Sequence, residues 1–357
     1  MISTLLHALP EQPLAVIGDI HGEGEALDQL LGHLSQTPKT RNRLLVFIGD
    51  LCDRGPDSVG VIHKVQELVE QGRALAILGN HEINLLANDA KDGSGWFFDS
   101  RATSDSPWYA PFSRANAAQR PAIREFLCSL PLAIQMPGLR IVHAAWDPTS
   151  IAAIAGVSCG NILELIHDWH LRIEQEARKD NLYARYRAEI ERWSRQIEDY
   201  NDPPPYLDAV ADFEALEQLI NPIKRLTSGI EARSAHPFFS GNRWRYSDRT
   251  AWWNEDHDAT PVLIGHYWRL FEPLASSWRY SALFDGVAST AWHGLHQQAF
   301  CLDYSVGARW RERKNPEGSS VSNPPRSHYR LAALMWPERS LVFDNGEHCL
   351  TQNFLKS

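Results

Sequence analysis

The feature that most limits the fold is a unit repeated through the first 145 residues: a short apolar run ending on a turn loaded with polar groups. Residues 14–17, 44–48, 75–78 and 140–142 are such runs, and Asp19, Asp50, Asn80 and His143 each stand just beyond one of them. Between the first three runs, residues 25–34 place Leu27, Leu30, Leu31 and Leu34 at helical spacing. Residues 59–71 do the same with Val61, Ile62, Val65, Leu68 and Val69. Apolar strands alternating with amphipathic helices predict an α/β fold with buried, largely parallel central strands. The carboxyl ends of such strands share one edge of the sheet, so the polar turns gather where active sites form.

At 357 residues the chain is expected to form one domain over 1–357 with a helical insertion at about 150–225. Within it, residues 162–200 are charge-rich and helix-favouring, and they stop at Asn201-Asp202-Pro203-Pro204-Pro205, a strong terminator. Residues 210–220 read as a further short helix. Residues 311–327, polar with Pro, Gly and Ser, read as a mobile loop, and 329–336 with 341–343 as a closing hairpin. A net charge of −9 argues against a surface that coats nucleic acid. No apolar segment approaches the ~20 residues needed to cross a bilayer, so no membrane partner is expected. The start of the chain lacks a leader pattern, and five cysteines without a C-x-x-C pair suit reduced thiols in a cytoplasm.

Three turns carry the chemistry. In Gly18-Asp19-Ile20-His21-Gly22, an Asp and a His two apart can both turn toward one metal ion. In Gly49-Asp50-Leu51-Cys52-Asp53-Arg54-Gly55, Asp50 can bridge two cations, Asp53 adds a second carboxylate and Arg54 stands beside it. In Gly79-Asn80-His81-Glu82, Asn80 offers a neutral oxygen and His81 is free to act as an acid. Taken singly, these are turn formers, an Asp–Arg ion pair and a helix N-cap. Their order, and their spacing of about 30 residues, outweighs the plain readings.

The three turns match, at every fixed position, the G-D-x-H-G, G-D-x-x-D-R-G and G-N-H-E signature of the calcineurin-like metallophosphoesterases, which the chain resembles. It is most similar to the branch holding phosphoprotein phosphatases and bacterial symmetrical diadenosine-tetraphosphate hydrolases. The resemblance implies a four-layer α/β/β/α sandwich with a helical cap. It also implies two later histidines, which match His143 in His143-Ala144-Ala145-Trp146 and His266 after Gly265. Many members outside this branch carry G-H-x-H at the second of these; here Trp268 takes the last position.

By that resemblance, Asp19, His21 and Asp50 hold one divalent ion, and Asp50, Asn80, His143 and His266 hold the other. Mixed nitrogen and oxygen ligands suit Mn²⁺, Fe or Zn²⁺ better than Ca²⁺ without choosing among them, and Mn²⁺ is the first expectation. The implied activity is two-metal hydrolysis of a phosphoester, a hydroxide shared by the two cations attacking phosphorus in line. His81 would protonate the leaving oxygen, Asp53 would orient His81, and Arg54 would grip phosphoryl oxygens. A further Arg from between the two late histidines is expected, with Arg249 preferred and Arg233 next. The tyrosine that approaches the metals in eukaryotic members has no clear counterpart; Tyr304 is a candidate, but its segment better resembles the last core strand region of bacterial hydrolases. The implied substrate is a phosphoprotein or a small phosphorylated metabolite or nucleotide; a dinucleoside polyphosphate is the alternative. A catalytically silent phosphate-binding scaffold is disfavoured because every ligand is present, and a nucleic-acid end phosphatase because of the charge.

Overall fold

The computed structural model describes residues 4–272, 283–314 and 327–354. Two sheets lie at its centre. The first has six strands in the order His348–Leu350, Ser340–Phe343, Ala332–Trp336, Leu14–Ile17, Leu44–Phe47, Ala74–Ala76, the last three parallel. The second has five, in the order Leu6–Ala8, Ala133–Met136, Leu139–Val142, Val262–Ile264, Ala299–Cys301, with Leu139–Val142 parallel to Val262–Ile264.

Side-chain alternation explains the layering. Leu14 and Val16 enter a core with Ile134, Ile141, Leu263 and Phe300 of the second sheet. Their neighbours Ala15 and Ile17 turn the other way, to the core that holds Leu27, Leu30, Ile62 and Val65. All four residues of this strand have no exposure, so both faces are covered and the run has to be apolar throughout. Burying each large side chain stabilises the sheet by about 1.5–3 kcal/mol. Helices Gly24–Ser35 and Ser58–Glu70 supply the covering on that outer face. The expected α/β/β/α architecture is what forms.

Three segments differ from the sequence reading. Residues 162–200 form helices Ile162–Lys179 and Leu182–Arg192 and a short 3-10 turn, Gln196–Glu198. The break falls at Asn181, whose φ of 58° lies in the left-handed region that Asn tolerates and a helix does not. Residues 231–249, where no strand is expected from the sequence, form an antiparallel hairpin of Glu231–Phe239 and Trp244–Arg249, with a register shift between Arg233 and Phe238. Arg311 to Lys314 belong to the short helix Arg309–Lys314, and the stretch 315–326 of the expected loop lies outside the described residues. The closing hairpin is Ala332–Trp336 with Ser340–Phe343. Among the described residues, no helix is long and apolar enough to cross a membrane.

Candidate metal centre

Five strands from the two sheets, ending at Ile17, Phe47, Ala76, Val142 and Ile264, deliver the polar turns to one place. His21, Asp50, Asp53, Arg54 and His266 all have positive φ, between 48° and 73°. Non-glycine residues avoid this region, and the strain it stores collects at functional sites. The glycines between them permit the crowding: a methyl group at Gly79 would collide with the Asp50 carboxylate.

Asp50 is the hub. Its Oδ2 lies 3.3 Å from His143 Nε2, 3.6 Å from His21 Nε2 and 3.9 Å from His81 Nε2, while Oδ1 accepts from the His81 backbone N–H at 3.0 Å. Two tight ligand groups share it: His21, Asp50 and His81 in one, Asp50, His143 and His266 in the other. Asn80 Oδ1 sits between His266 Nδ1 at 2.8 Å and His143 Nε2 at 3.3 Å. Asp19 is buried beside these groups but in neither; its carboxylate accepts from the His266 backbone N–H at 3.0 Å. Burial pushes Asp19 well above the usual carboxylate range, and Asp303 adds to the effect.

Burial would raise Asp50 as well, but the imidazoles of His143, His81 and His21 hold it well below its ordinary range. Burial works against a charged imidazole at His143, and Asp50 outweighs it, raising that group to about 10. At His266 burial prevails and Arg249 reinforces it, so the ring stays neutral.

These residues fit divalent ions. Carbonyl oxygens only accept, so His143 and His21 must carry hydrogen on Nδ1 to donate to Ile48 O at 2.7 Å and Cys52 O at 3.0 Å. His21, kept neutral by burial and by Arg54, then faces the Asp50 carboxylate with the Nε2 lone pair, an arrangement that calls for a cation between them, and at His143 a metal ion would take the place of the Nε2 proton. His266 Nε2 is buried with no hydrogen-bond partner among the described residues. The mix of imidazole nitrogen with carboxylate and amide oxygen suits a first-row divalent ion.

His81 differs from the other rings. Its Nδ1 is 2.5 Å from Asp53 Oδ2, forming a buried dyad. Burial opposes its protonation, yet Asp50 and then Asp53 outweigh burial and the repulsion of Arg54, so the ring is raised above its usual range. Arg54 Nη1 lies 3.3 Å from His21 Nε2, and its guanidinium stacks over Trp268, 4.8 Å from the ring centroid. Trp268 therefore holds the arginine at the rim of the site.

The two arginine candidates separate. Arg249 Nη1 donates to His266 O at 3.0 Å, beside the candidate ligands. Arg233 pairs instead with Asp208 and Asp212 of helix Asp208–Ile220, mooring the hairpin to that helix. Tyr304 turns into the core between the sheets and donates to Ser289 O at 2.6 Å, away from the ligands.

Three residues were not singled out from sequence. Glu82, with no exposure, accepts from the backbone N–H of Asp50, Leu51 and Gly79 at 2.8, 2.9 and 2.9 Å. Trp96 donates to Asp53 Oδ1 at 2.5 Å. Asp303, 1% exposed, is raised to about 6 by burial and by Asp50, and its Oδ2 has no partner among the described residues. Only Glu82 left a signal, as the last letter of G-N-H-E.

Comparison with known proteins agrees with the motifs. The chain is 37% identical over 148 residues to the symmetrical bis(5'-nucleosyl)-tetraphosphatase of Ralstonia nicotianae, covering 40% of this chain and 47% of that one. It is 37% identical over 109 residues to serine/threonine-protein phosphatase 2 of Escherichia coli, covering 30% and 44%. The chain thus spans less than half the length of these curated relatives. The solved cold-active protein-tyrosine phosphatase of a Shewanella species aligns over 97% of this chain and 82% of its own, at 14% identity and a TM-score of 0.47. The calcineurin-like phosphoesterase model matches residues 12–267, which include all six proposed ligands and the Asp53–His81 dyad, and the chain belongs to that family.

Proposed function

We propose that this chain hydrolyses phosphate esters or anhydrides at a pair of divalent ions, with His81 as the general acid. The observation that carries the reading is the single carboxylate of Asp50, shared by two groups of histidines, beside a pair of different character, the Asp53–His81 dyad. Asp19, His21 and Asp50 would hold one ion, and Asp50, Asn80, His143 and His266 the other, with Mn²⁺ the first candidate. The chemistry two such ions supply when bound is Lewis acidity, which draws charge from phosphoryl oxygens and acidifies water toward neutrality. His81 also falls in one of the candidate groups, but its Nε2 lies farther from Asp50 Oδ2, at 3.9 Å, than those of His21 and His143, and its carboxylate partner at Nδ1 favours the protonated ring an acid needs. Arg54 carries a fixed fork of donors, set by its stack on Trp268, to grip phosphoryl oxygens. The five cysteines are all unpaired, which suits a reducing compartment such as the cytoplasm.

The test is a parallel screen of phosphopeptides, nucleoside monophosphates and dinucleoside polyphosphates, with Mn²⁺ and after chelation. Turnover that chelation abolishes supports the reading, and two bound ions with no turnover on any substrate would favour a silent scaffold. His81→Ala should lower kcat on an alkyl phosphate by about 10²-fold or more while leaving metal content unchanged. Full turnover in that variant would remove the acid assignment.

A second reading, narrower in substrate, is favoured by the 231–249 hairpin. At its base Arg249 donates to His266 O at 3.0 Å, and at its turn Asn242 Nδ2 donates to Asp92 Oδ1 at 2.7 Å. Asp92 precedes Gly93, whose carbonyl accepts from the Arg54 backbone N–H at 3.1 Å. The hairpin therefore reaches from the His266 side of the centre to the Arg54 side. We read it, with the helices of the insertion at about 150–225 that support it, as a bar across the cleft. It would admit small phosphorylated molecules, nucleotides and dinucleoside polyphosphates among them, and restrict folded phosphoproteins. Asn242→Ala removes the latch, a bond to a charged group, and should raise the rate on a phosphoprotein relative to 4-nitrophenyl phosphate by up to about 10-fold. An unchanged ratio would count against the bar.

A further inference from the structure

Both oxygens of the Asp53 carboxylate are engaged: Oδ2 accepts from His81 Nδ1 and Oδ1 from Trp96 Nε1, each at 2.5 Å. Asp53 is 1% exposed and so is Trp96, so no water competes for either bond. The loop carrying Trp96 is fastened on several sides. Gly93 O accepts from the Arg54 N–H at 3.1 Å, and Trp96 O from the Ala115 N–H at 2.9 Å. Gly95 N–H donates to Asp105 Oδ2 at 2.8 Å. Gly93 has a φ of 87°, and a side chain there would strike Arg54. One loop thus grips the backbone of Arg54 and the carboxylate of its neighbour Asp53.

We infer that Trp96 is a positioning residue for the acid, its indole N–H locking Asp53 in the orientation that keeps His81 poised. The inference rests on the reading of His81 as general acid. An indole N–H donates only and does not titrate at any working pH, so it demands a lone pair on Asp53 Oδ1 throughout. With Oδ1 held by Trp96 and the Asp53 N–H held by Ser58 Oγ at 3.0 Å, the carboxylate cannot rotate. Its Oδ2 stays aimed at His81 Nδ1 and keeps a hydrogen there. That leaves Nε2 as the nitrogen whose proton passes to the leaving oxygen as the phosphorus–oxygen bond breaks. A serine or amide in the same place has an acceptor as well as a donor and could let the dyad reorient.

The plainer account is a core tryptophan, packed edge-on to Phe97 with 5.3 Å between ring centroids, whose N–H happens to be satisfied. The two accounts predict different kinetics. An acid matters most when the leaving group is poor, whereas a packing defect lowers turnover of all substrates alike. In the full chain loaded with Mn²⁺, Trp96→Phe should lower kcat on glycerol phosphate about 10-fold with KM unchanged, and on 4-nitrophenyl phosphate by no more than about 2-fold. In an Asp53→Asn background the same change should add nothing, because the partner is already altered. Equal losses on both esters, no loss on either, or an undiminished loss in the Asp53→Asn background would each overturn the inference.

A readout free of turnover guards against a variant that folds poorly. In a chain labelled with ¹⁵N-indole, the Trp96 N–H resonance should move upfield on Asp53→Asn, and a resonance that does not move also overturns the inference. His81→Ala assayed in parallel separates the two failures. If it lacks leaving-group dependence, the acid reading falls and takes this one with it; if only Trp96→Phe lacks it, the acid reading stands alone.

Discussion

Asp50→Asn should lower kcat/KM by more than about 10³-fold, the scale expected when metal-assisted activation of water is lost. The bound divalent ions should fall from two to at most one per chain. The substitution keeps the shape of the side chain and leaves Oδ1 able to accept from the His81 N–H at 3.0 Å. What it removes is the charge, at the residue common to both candidate ligand groups among the described residues. The amide would also present hydrogens toward His143 Nε2 and His21 Nε2, which lie 3.3 and 3.6 Å from Oδ2 in the native chain. Metal analysis after dialysis, beside kinetics, separates this outcome from simple unfolding. Two tightly held ions in the variant would sink the hub assignment.

The same variant has a signature without metal. His143 is raised to about 10, above its unfolded value, so its pairing with Asp50 stabilises the chelated protein fully below about pH 6.5. That stability is lost as pH rises through about 10, the folded value. Thermal unfolding of the chelated wild type should therefore lose ground to Asp50→Asn between pH 7 and 9.5. A difference between the two that stays constant across this window would mean the pair does not titrate as described.

The turns that carry the proposed ligands were legible because they are local. Asp19, His21, Asp50 and Asn80 follow strands whose burial on both faces forces an apolar run, and the turn after such a run is easily seen. His266 could be placed for the same reason, although it lies 123 residues beyond His143 by their numbering, 266 less 143. The hairpin was not legible. Glu231–Phe239 holds Pro237 and a register shift, and its residues are half-buried or exposed, so neither alternation nor an apolar face marks it. Its support comes from pairs such as Arg233 with Asp208 and Asp212, which no periodicity encodes.

Trp96 and Asp303 were hidden for another reason. Their importance lies in where one side-chain atom points across 43 residues of sequence in the first case, and in burial beside Asp19 in the second. Helix continuity misled at Asn181, where a single left-handed residue splits what composition alone made continuous.

Glu82→Ala should be the most destabilising single change in the site. The side chain lies one turn into helix Asn80–Leu86 and reaches back to the N–H of Gly79, which has no side chain to cap with. It also accepts from Asp50 N–H, Leu51 N–H and Cys52 Sγ, the last at 3.3 Å, so one carboxylate ties the second polar turn to the third. Burial raises Glu82 above the usual carboxylate range, Asp50 adds to this, and the Gly79 N–H opposes it. Removing the acceptor strands three buried backbone donors, and each costs about 1–3 kcal/mol unless water enters. The sum, about 3–9 kcal/mol, is a large part of the about 5–15 kcal/mol that holds a typical domain together. Glu82→Gln keeps the volume and one acceptor but turns an N–H₂ toward a donor, so its loss should be smaller, about 1–3 kcal/mol. Denaturant unfolding of the chelated chains measures both losses without interference from metal binding. In the fraction that remains folded, the freed backbone at Asp50 should weaken metal binding even though no ligand has changed. An unchanged midpoint for Glu82→Ala would show that water replaces the carboxylate at no cost, and the two turns would then have to be held by their own strands.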